Sequence, residues 1–179
     1  MVKNEKELID FIFHQTNELQ ILNNYSIEIG VWDTSFNREK EEKEDKEGKL
    51  FKPQVKVGVS NAQIMYIHEY GSKVKNLVPR PILEKTINWG YEQFEKYYLD
   101  KIVDGILNQG WTENDIENEL KILAQEMESS YCKEKTQHNE MDLEPLKPST
   151  IANRRQHSNV PLYDTGQLVK SIRCQLTKK

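Results

Sequence analysis

The chain is short of nearly everything that marks a reactive or membrane-bound protein. It has two cysteines, Cys132 and Cys174, without CxxC spacing or a nearby histidine, which removes the usual zinc and dithiol frameworks. Reduced thiols are the expectation. No run approaches the ~18 apolar residues of a membrane span. The start, MVKNEKELIDFIFHQ, lacks the uninterrupted apolar stretch of a signal peptide, so a soluble cytosolic product is expected. The eight glycines are scattered, mostly at helix stops, and build no phosphate-cradling loop. Basic residues are outnumbered, 25 against 29 acidic, giving a net charge of -4 and a pI near 5.7. That balance argues against a protein whose main task is to neutralise a nucleic-acid backbone.

What is present is a polar chain with enough apolar residues for one core: 36% hydrophobic and 30% charged over 179 residues. A single domain over 1–179 is expected, with part of the chain outside its core. Leu8, Ile12, Gln15 and Leu19 recur at helical spacing, so 4–22 reads as an amphipathic helix ended by Asn23-Asn24. The period then changes to two. Tyr25, Ile27, Ile29 and Val31 alternate with polar or small residues, as do Val55, Val57 and Val59, predicting two strands of an antiparallel hairpin. Between them NREKEEKEDKEGK, residues 37–49, has five basic and six acidic side chains and nothing to bury. It predicts a solvated insertion over 34–52, as an exposed, disordered loop or a frayed charged helix.

Asn61 is the expected N-cap of a short helix, AQIMYIHEY, stopped by Gly71. Pro79-Arg80-Pro81 forces an extended approach to the next helix, with Pro81 suited to its first turn. Leu83, Ile87, Tyr91, Phe94, Tyr98, Ile102 and Ile106 draw a stripe along roughly seven turns. After Asn108-Gln109-Gly110, Thr112 and Asp115 form a capping box. Ile116, Leu120, Leu123, Met127 and Tyr131 then line a second helix, completing an αα-hairpin. Residues 132–161 read as a linker with one short helix after Pro148-Ser149. Asp164 and Gln167 have capping-box spacing over Leu168, and Ile172, Cys174 and Leu176 alternate as a third strand. The fold class is α+β: a small antiparallel sheet, hairpin plus C-terminal strand, packed with a long αα-hairpin.

Three patches suggest chemistry, and each has a plainer explanation. His68-Glu69 is an acid-base pair by composition, but adjacent helical residues point about 100° apart, and neither HExxH nor a convergent second histidine exists. His14, His138 and His157 sit in unrelated segments. Asp164-Thr165-Gly166 resembles an aspartic-protease DTG, which requires a second, mirrored carboxylate that this chain lacks. Arg154-Arg155, with Lys147 and His157 nearby, offers phosphate contacts but no aromatic residue to stack a base. A metal-assisted hydrolase or nuclease using His68, Glu69 and Asp164, and a DNA-binding adaptor using Arg154 and Arg155, are therefore the rival functions. No cofactor and no metal are expected.

Several ordered fragments carry a resemblance: Asn61-Ala62 leading into IHEYGS at 67–72, PRPIL at 79–83, LKPSTIANRR at 146–155, and PLYDTGQL at 161–168 followed by Ser171-Ile172. In this order and spacing, from about residue 55 onward, the chain resembles the phage virion-morphogenesis or tail-completion family of head-tail neck proteins. The charged insertion departs from the family's compact pattern. The resemblance implies a non-catalytic subunit of a tailed phage or prophage. Such a subunit assembles as a homo-oligomeric ring against other head-tail or tail proteins, in the host bacterial cytoplasm and then in the virion. From the acidic balance and the lack of long apolar runs, no membrane association and no specific nucleic-acid binding are expected. The residues carrying it, His68, Glu69, Tyr70, Gly71, Pro79, Arg80, Pro81, Asp164, Thr165 and Gly166, are expected to have structural or assembly roles. Among these, Glu69 and Arg80 are candidate partners for an ion pair, and Asp164 and Thr165 for capping the last helix. The 34–52 and 132–161 segments are the expected assembly contacts.

Overall fold

A computed structural model of the chain describes residues 19–32, 43–44, 50–51, 60–74, 76–154, 159–163 and 166–179. Two compact units interleave along the sequence. The first comprises 1–29, 86–131 and 174–179; the second comprises 30–85 and 132–173.

In the first unit, a 3-10 turn at Ile21–Asn24 feeds strand β1, Tyr25–Gly30, close to where the Asn23-Asn24 stop and the alternating pattern place it. The rest of the expected N-terminal helix lies outside the described residues, as does the Val55–Val59 strand. β1 pairs with the C-terminal strand, Arg173–Lys178. Lys179 N–H donates to the Asn24 carbonyl at 2.7 Å, and Gln175 Nε2 lies 3.4 Å from Glu28 Oε2. Four residues up one strand match four down the other, so the pair is antiparallel. In the second unit, Lys43–Glu44 of the charged run (β2) pairs antiparallel with Leu50–Phe51 just after it (β3). The other residues of the 34–52 insertion, and with them the expected loop or frayed helix, lie outside the described set. The C-terminal strand is β4.

The second unit contributes helix α1, Asn61–Tyr70. A long helical stretch follows in sequence, belonging to the first unit from Thr86 onward and made of α2 (Ile82–Gln93), a π-helical turn (Phe94–Tyr98), α3 (Leu99–Asp104) and another π turn (Gly105–Gln109), and ended by Gly110. Its buried face differs in the first half from the predicted stripe. Ile87 and Tyr91 are 50% and 63% exposed, while Ile82, Thr86, Gly90, Tyr98, Ile102 and Ile106 are buried. These buried positions fall on steps of four. On a straight α-helix each such step drifts by about 40°. The wider π turns take up that drift and hold the late positions on one face.

Helix α4, Glu113–Glu126, starts at the predicted capping box: the Asp115 carboxylate accepts from Thr112 N–H at 2.8 Å and from its hydroxyl at 2.6 Å. It packs antiparallel-hairpin fashion on the preceding helix. Ile102 and Ile106 meet Ile116, Leu120 and Tyr25, with Leu176 against them, and Tyr98 meets Leu123 and Met127, with Ile27 and Cys174 against them. The small sheet therefore packs on the αα-hairpin, the α+β arrangement the pattern predicts. Polar tips find acceptors: Tyr25 Oη donates to Glu113 at 3.0 Å and Tyr98 Oη to Glu126 at 2.7 Å. Burial and the neighbouring carboxylates raise both phenol pKa values.

Gly105 lies in this seam, and a methyl there would overlap the rigid Trp111 indole. Gly90 faces the thioether of Met127. Alanine is favoured over glycine in a helix by ~1 kcal/mol, while overpacking costs ~1–3 kcal/mol. Gly105→Ala is expected to lose about 1.5 kcal/mol net, because an indole cannot fold away. Gly90→Ala should stay within about 1 kcal/mol of wild type, because methionine repacks. Urea melts of the two variants check this; equal losses would contradict the packing account.

The 132–161 segment is not the plain linker the composition suggests. The helix persists through a π turn (Met127–Lys133) into α5, Glu134–Gln137, and Cys132, Thr136 and Met141 are buried. Thr136 Oγ1 donates to the Cys132 carbonyl at 2.6 Å, a bond that lets a hydroxyl be buried. Helix α6, Pro148–Ala152, begins at Pro148, and α7 spans Gln167–Lys170.

Candidate functional site

The motif-bearing segments come together in the second unit. Helix α1 opens at Ser60, not Asn61. Ser60 Oγ accepts from Gln63 N–H at 3.2 Å, and Gln63 Oε1 accepts from Ser60 N–H at 3.0 Å. Asn61 instead occupies the first helical position and is buried. The Ser-x-x-Gln spacing was a readable capping box that outranks a lone asparagine. Ser60→Ala should lower stability by about 1 kcal/mol in a thermal melt.

The helix stops at Gly71, whose φ of 75° and ψ of -175° turn the chain sharply. Ser72 and Leu77 then exchange backbone bonds at 3.0 and 2.9 Å, folding the chain back. The return is fixed by Arg80 N–H donating to the His68 carbonyl at 2.6 Å. Pro79 and Pro81 flank that residue outside α2, and the Pro81 carbonyl accepts the Lys85 N–H in its first turn.

Glu69 and Arg80 do not form the expected ion pair. The Glu69 carboxylate accepts from Leu83 N–H at 3.1 Å and from Glu84 N–H at 2.8 Å, so a side chain on α1 caps α2. Glu69 is buried, and burial raises its pKa above the ordinary glutamate value even though the backbone bonds pull it down. Arg80, also buried, donates from Nε to the Glu144 carbonyl at 2.8 Å and from Nη2 to the Pro145 carbonyl at 3.1 Å. Each charged group found backbone instead: Glu69 the open N–H groups at the start of α2, and Arg80 the carbonyls of the irregular segment at 144–145.

Arg154 closes a further loop, with Nη1 on the Val160 carbonyl at 2.5 Å and 3.5 Å from that of Tyr163. Asp164 and Thr165 lie outside the described residues. Gly166, at φ 74°, is the N-cap of α7 and carries no side-chain cap, so Gln167 takes the first helical position. The predicted Asp164–Gln167 box needed Gln167 at the third; a left-handed glycine begins the helix later than the box spacing implied. A methyl on Gly166 would lie 3.2 Å from the Tyr163 ring.

Between these segments lies a groove of about 480 Å³. Among the described residues, His68, Arg80, Lys147 and Arg154 line it with one carboxylate residue, Glu144, and its apolar walls include Ile64, Leu77, Leu146 and Leu162. His68 and Glu69, adjacent in sequence, thus part company, one lining the groove and the other capping α2. Tyr70 is 69% exposed and its ring lies 4.9 Å from that of Tyr66. Sequence reasoning missed Glu144 and Pro145, which act through carbonyl oxygens that no residue type announces. Among the described residues no group of three or more His, Cys, Asp or Glu is placed to hold a metal ion, and no helix is long and apolar enough to cross a membrane. No family model, no curated protein and no solved structure matches the chain.

Proposed function

We propose that the chain is a structural subunit of a tailed phage or prophage particle, completing the tail or the head-tail junction as a homo-oligomeric ring. The observation that carries this reading is the use made of the motif residues. Glu69 and Arg80 spend their charges on backbone N–H and carbonyl groups of other segments, 14 and 15 residues away for Glu69 and 64 and 65 for Arg80, and Arg154 donates to the Val160 carbonyl six residues on. They act as clasps that hold four stretches of chain in one arrangement, which is what a subunit presenting a fixed surface to neighbours requires. A hydrolytic reading needs Glu69 available to activate water, yet both its oxygens accept backbone hydrogens.

Deletion of the gene from the genome that carries it tests the proposal. Electron microscopy of the induced lysate should show filled heads and separate tails, with complete particles restored by the gene in trans. Intact particles in the deletion strain would rule the reading out. Portal, capsid and tail genes are expected alongside; a metabolic operon there would count equally against it.

A further inference from the structure

We propose that the groove of the second unit is a docking site for an acidic, apolar-flanked peptide segment of a partner protein, one carboxylate of which seats on Arg80. Arg80 is only 7% exposed. A guanidinium so buried is ordinarily met by a carboxylate, because neutral oxygens leave the charge itself uncompensated. Here Nε and Nη2 engage two neutral carbonyls, at 2.8 and 3.1 Å. Nη1 makes no hydrogen bond among the described residues, and it is not sealed from solvent. The group is therefore held in place with one N–H face unspent, in the wall of a groove.

The surroundings specify the rest of the ligand. Lys147, exposed at the rim, forms no ion pair or hydrogen bond among the described residues, and among the described lining residues Glu144 is the one acid against four basic or imidazole side chains. Leucine and isoleucine side chains complete the walls, so the fitting ligand combines a carboxylate with apolar side chains. A nucleic acid fits less well. Among the described lining residues none is aromatic and able to stack a base, and the chain's charge of -4 opposes a long polyanion. The volume lies in the range that encloses a few residues of peptide. An arginine already fixed by two bonds binds without a further ordering cost. The inference rests on the groove's own walls and holds whether or not the chain assembles in a particle.

The isotope-labelled full chain, titrated by NMR with acetyl-Leu-Glu-Leu-Glu-amide, tests it, with the glutamine analogue and inorganic phosphate as separate arms. The glutamate peptide should shift groove resonances and bind at least about fivefold tighter than the glutamine analogue. Lys147→Glu should weaken it by a similar factor while the melting temperature stays unchanged, since Lys147 is exposed; Arg80→Lys then probes the anchor. Equal affinity for the two peptides, shifts outside the groove, no binding of either, or full competition by phosphate would each overturn the proposal.

Discussion

Gly71→Ala should cost about 3 kcal/mol, the largest single-methyl effect expected among the described glycines. Two independent penalties meet there. At φ 75° and ψ -175° the backbone lies in a region that is essentially reserved for glycine, at ~1–3 kcal/mol for other residues. A β-carbon would also sit 2.7 Å from the Leu77 carbonyl oxygen and 3.0 Å from Pro79 Cδ. That carbonyl is held by Ser72 N–H, and the proline ring is stiff, so neither neighbour can withdraw. Gly110→Ala is the control. It too has a positive φ, 67°, but lies in the ordinary left-handed region with nothing within 4 Å, so about 1 kcal/mol is expected. Urea denaturation of both variants checks the difference. If Gly71→Ala proved no worse than Gly110→Ala, the tight return between α1 and α2 could not be the constraint described.

The same glycine shows what a sequence can and cannot disclose. Its role as a stop was legible because helix periodicity ends there and glycine tolerates positive φ. So were the αα-hairpin and the β4 strand, whose apolar periods are local. The face of the long helix was not fully legible, since the π turns at Phe94–Tyr98 and Gly105–Gln109 change the residues per turn without any residue type demanding it. The candidate site divides in the same way. IHEYG, PRP and LKPST could be picked out as unusual fragments, and their residues do line or brace one groove. Their bonding partners could not, because Arg80 reaches carbonyls 64 and 65 residues away and Glu69 reaches N–H groups, and every residue but proline has both. Reading two opposite charges near a turn as an ion pair was reasonable chemistry. It failed because helix α2 offers Glu69 two converging N–H donors, while the guanidinium of Arg80 is held by the Glu144 and Pro145 carbonyls.

Glu69 carries the second large effect. Glu69→Ala should lower stability by roughly 2–3 kcal/mol at neutral pH, because two N–H groups in the first turn of α2 lose their acceptors. Part of that loss is offset by removing a carboxylate whose ionised form is disfavoured by burial. The pH dependence separates the two contributions. Burial, reinforced by the nearby Glu84 carboxylate, places the folded-state pKa of Glu69 above its ordinary value of 4.5. Between the unfolded and folded values the native state holds more protons than the unfolded one, so stability from this group declines as pH rises through that window. Asp104, Glu113, Asp115, Glu117 and Glu140, all with lowered pKa values, act in the opposite sense, each losing its contribution on acidification. Glu69→Gln keeps the shape, has no proton to release and leaves those five groups in place. The stability of wild type minus that of Glu69→Gln should therefore be greatest below the ordinary glutamate value, shrink as pH climbs past it, and level off once Glu69 is fully ionised. Chemical denaturation of both proteins at matched pH from the acid range to neutrality measures it. A difference that widened with rising pH would mean that the two N–H bonds outweigh burial, so that the ionised carboxylate is the form that the turn between α1 and α2 is built to hold.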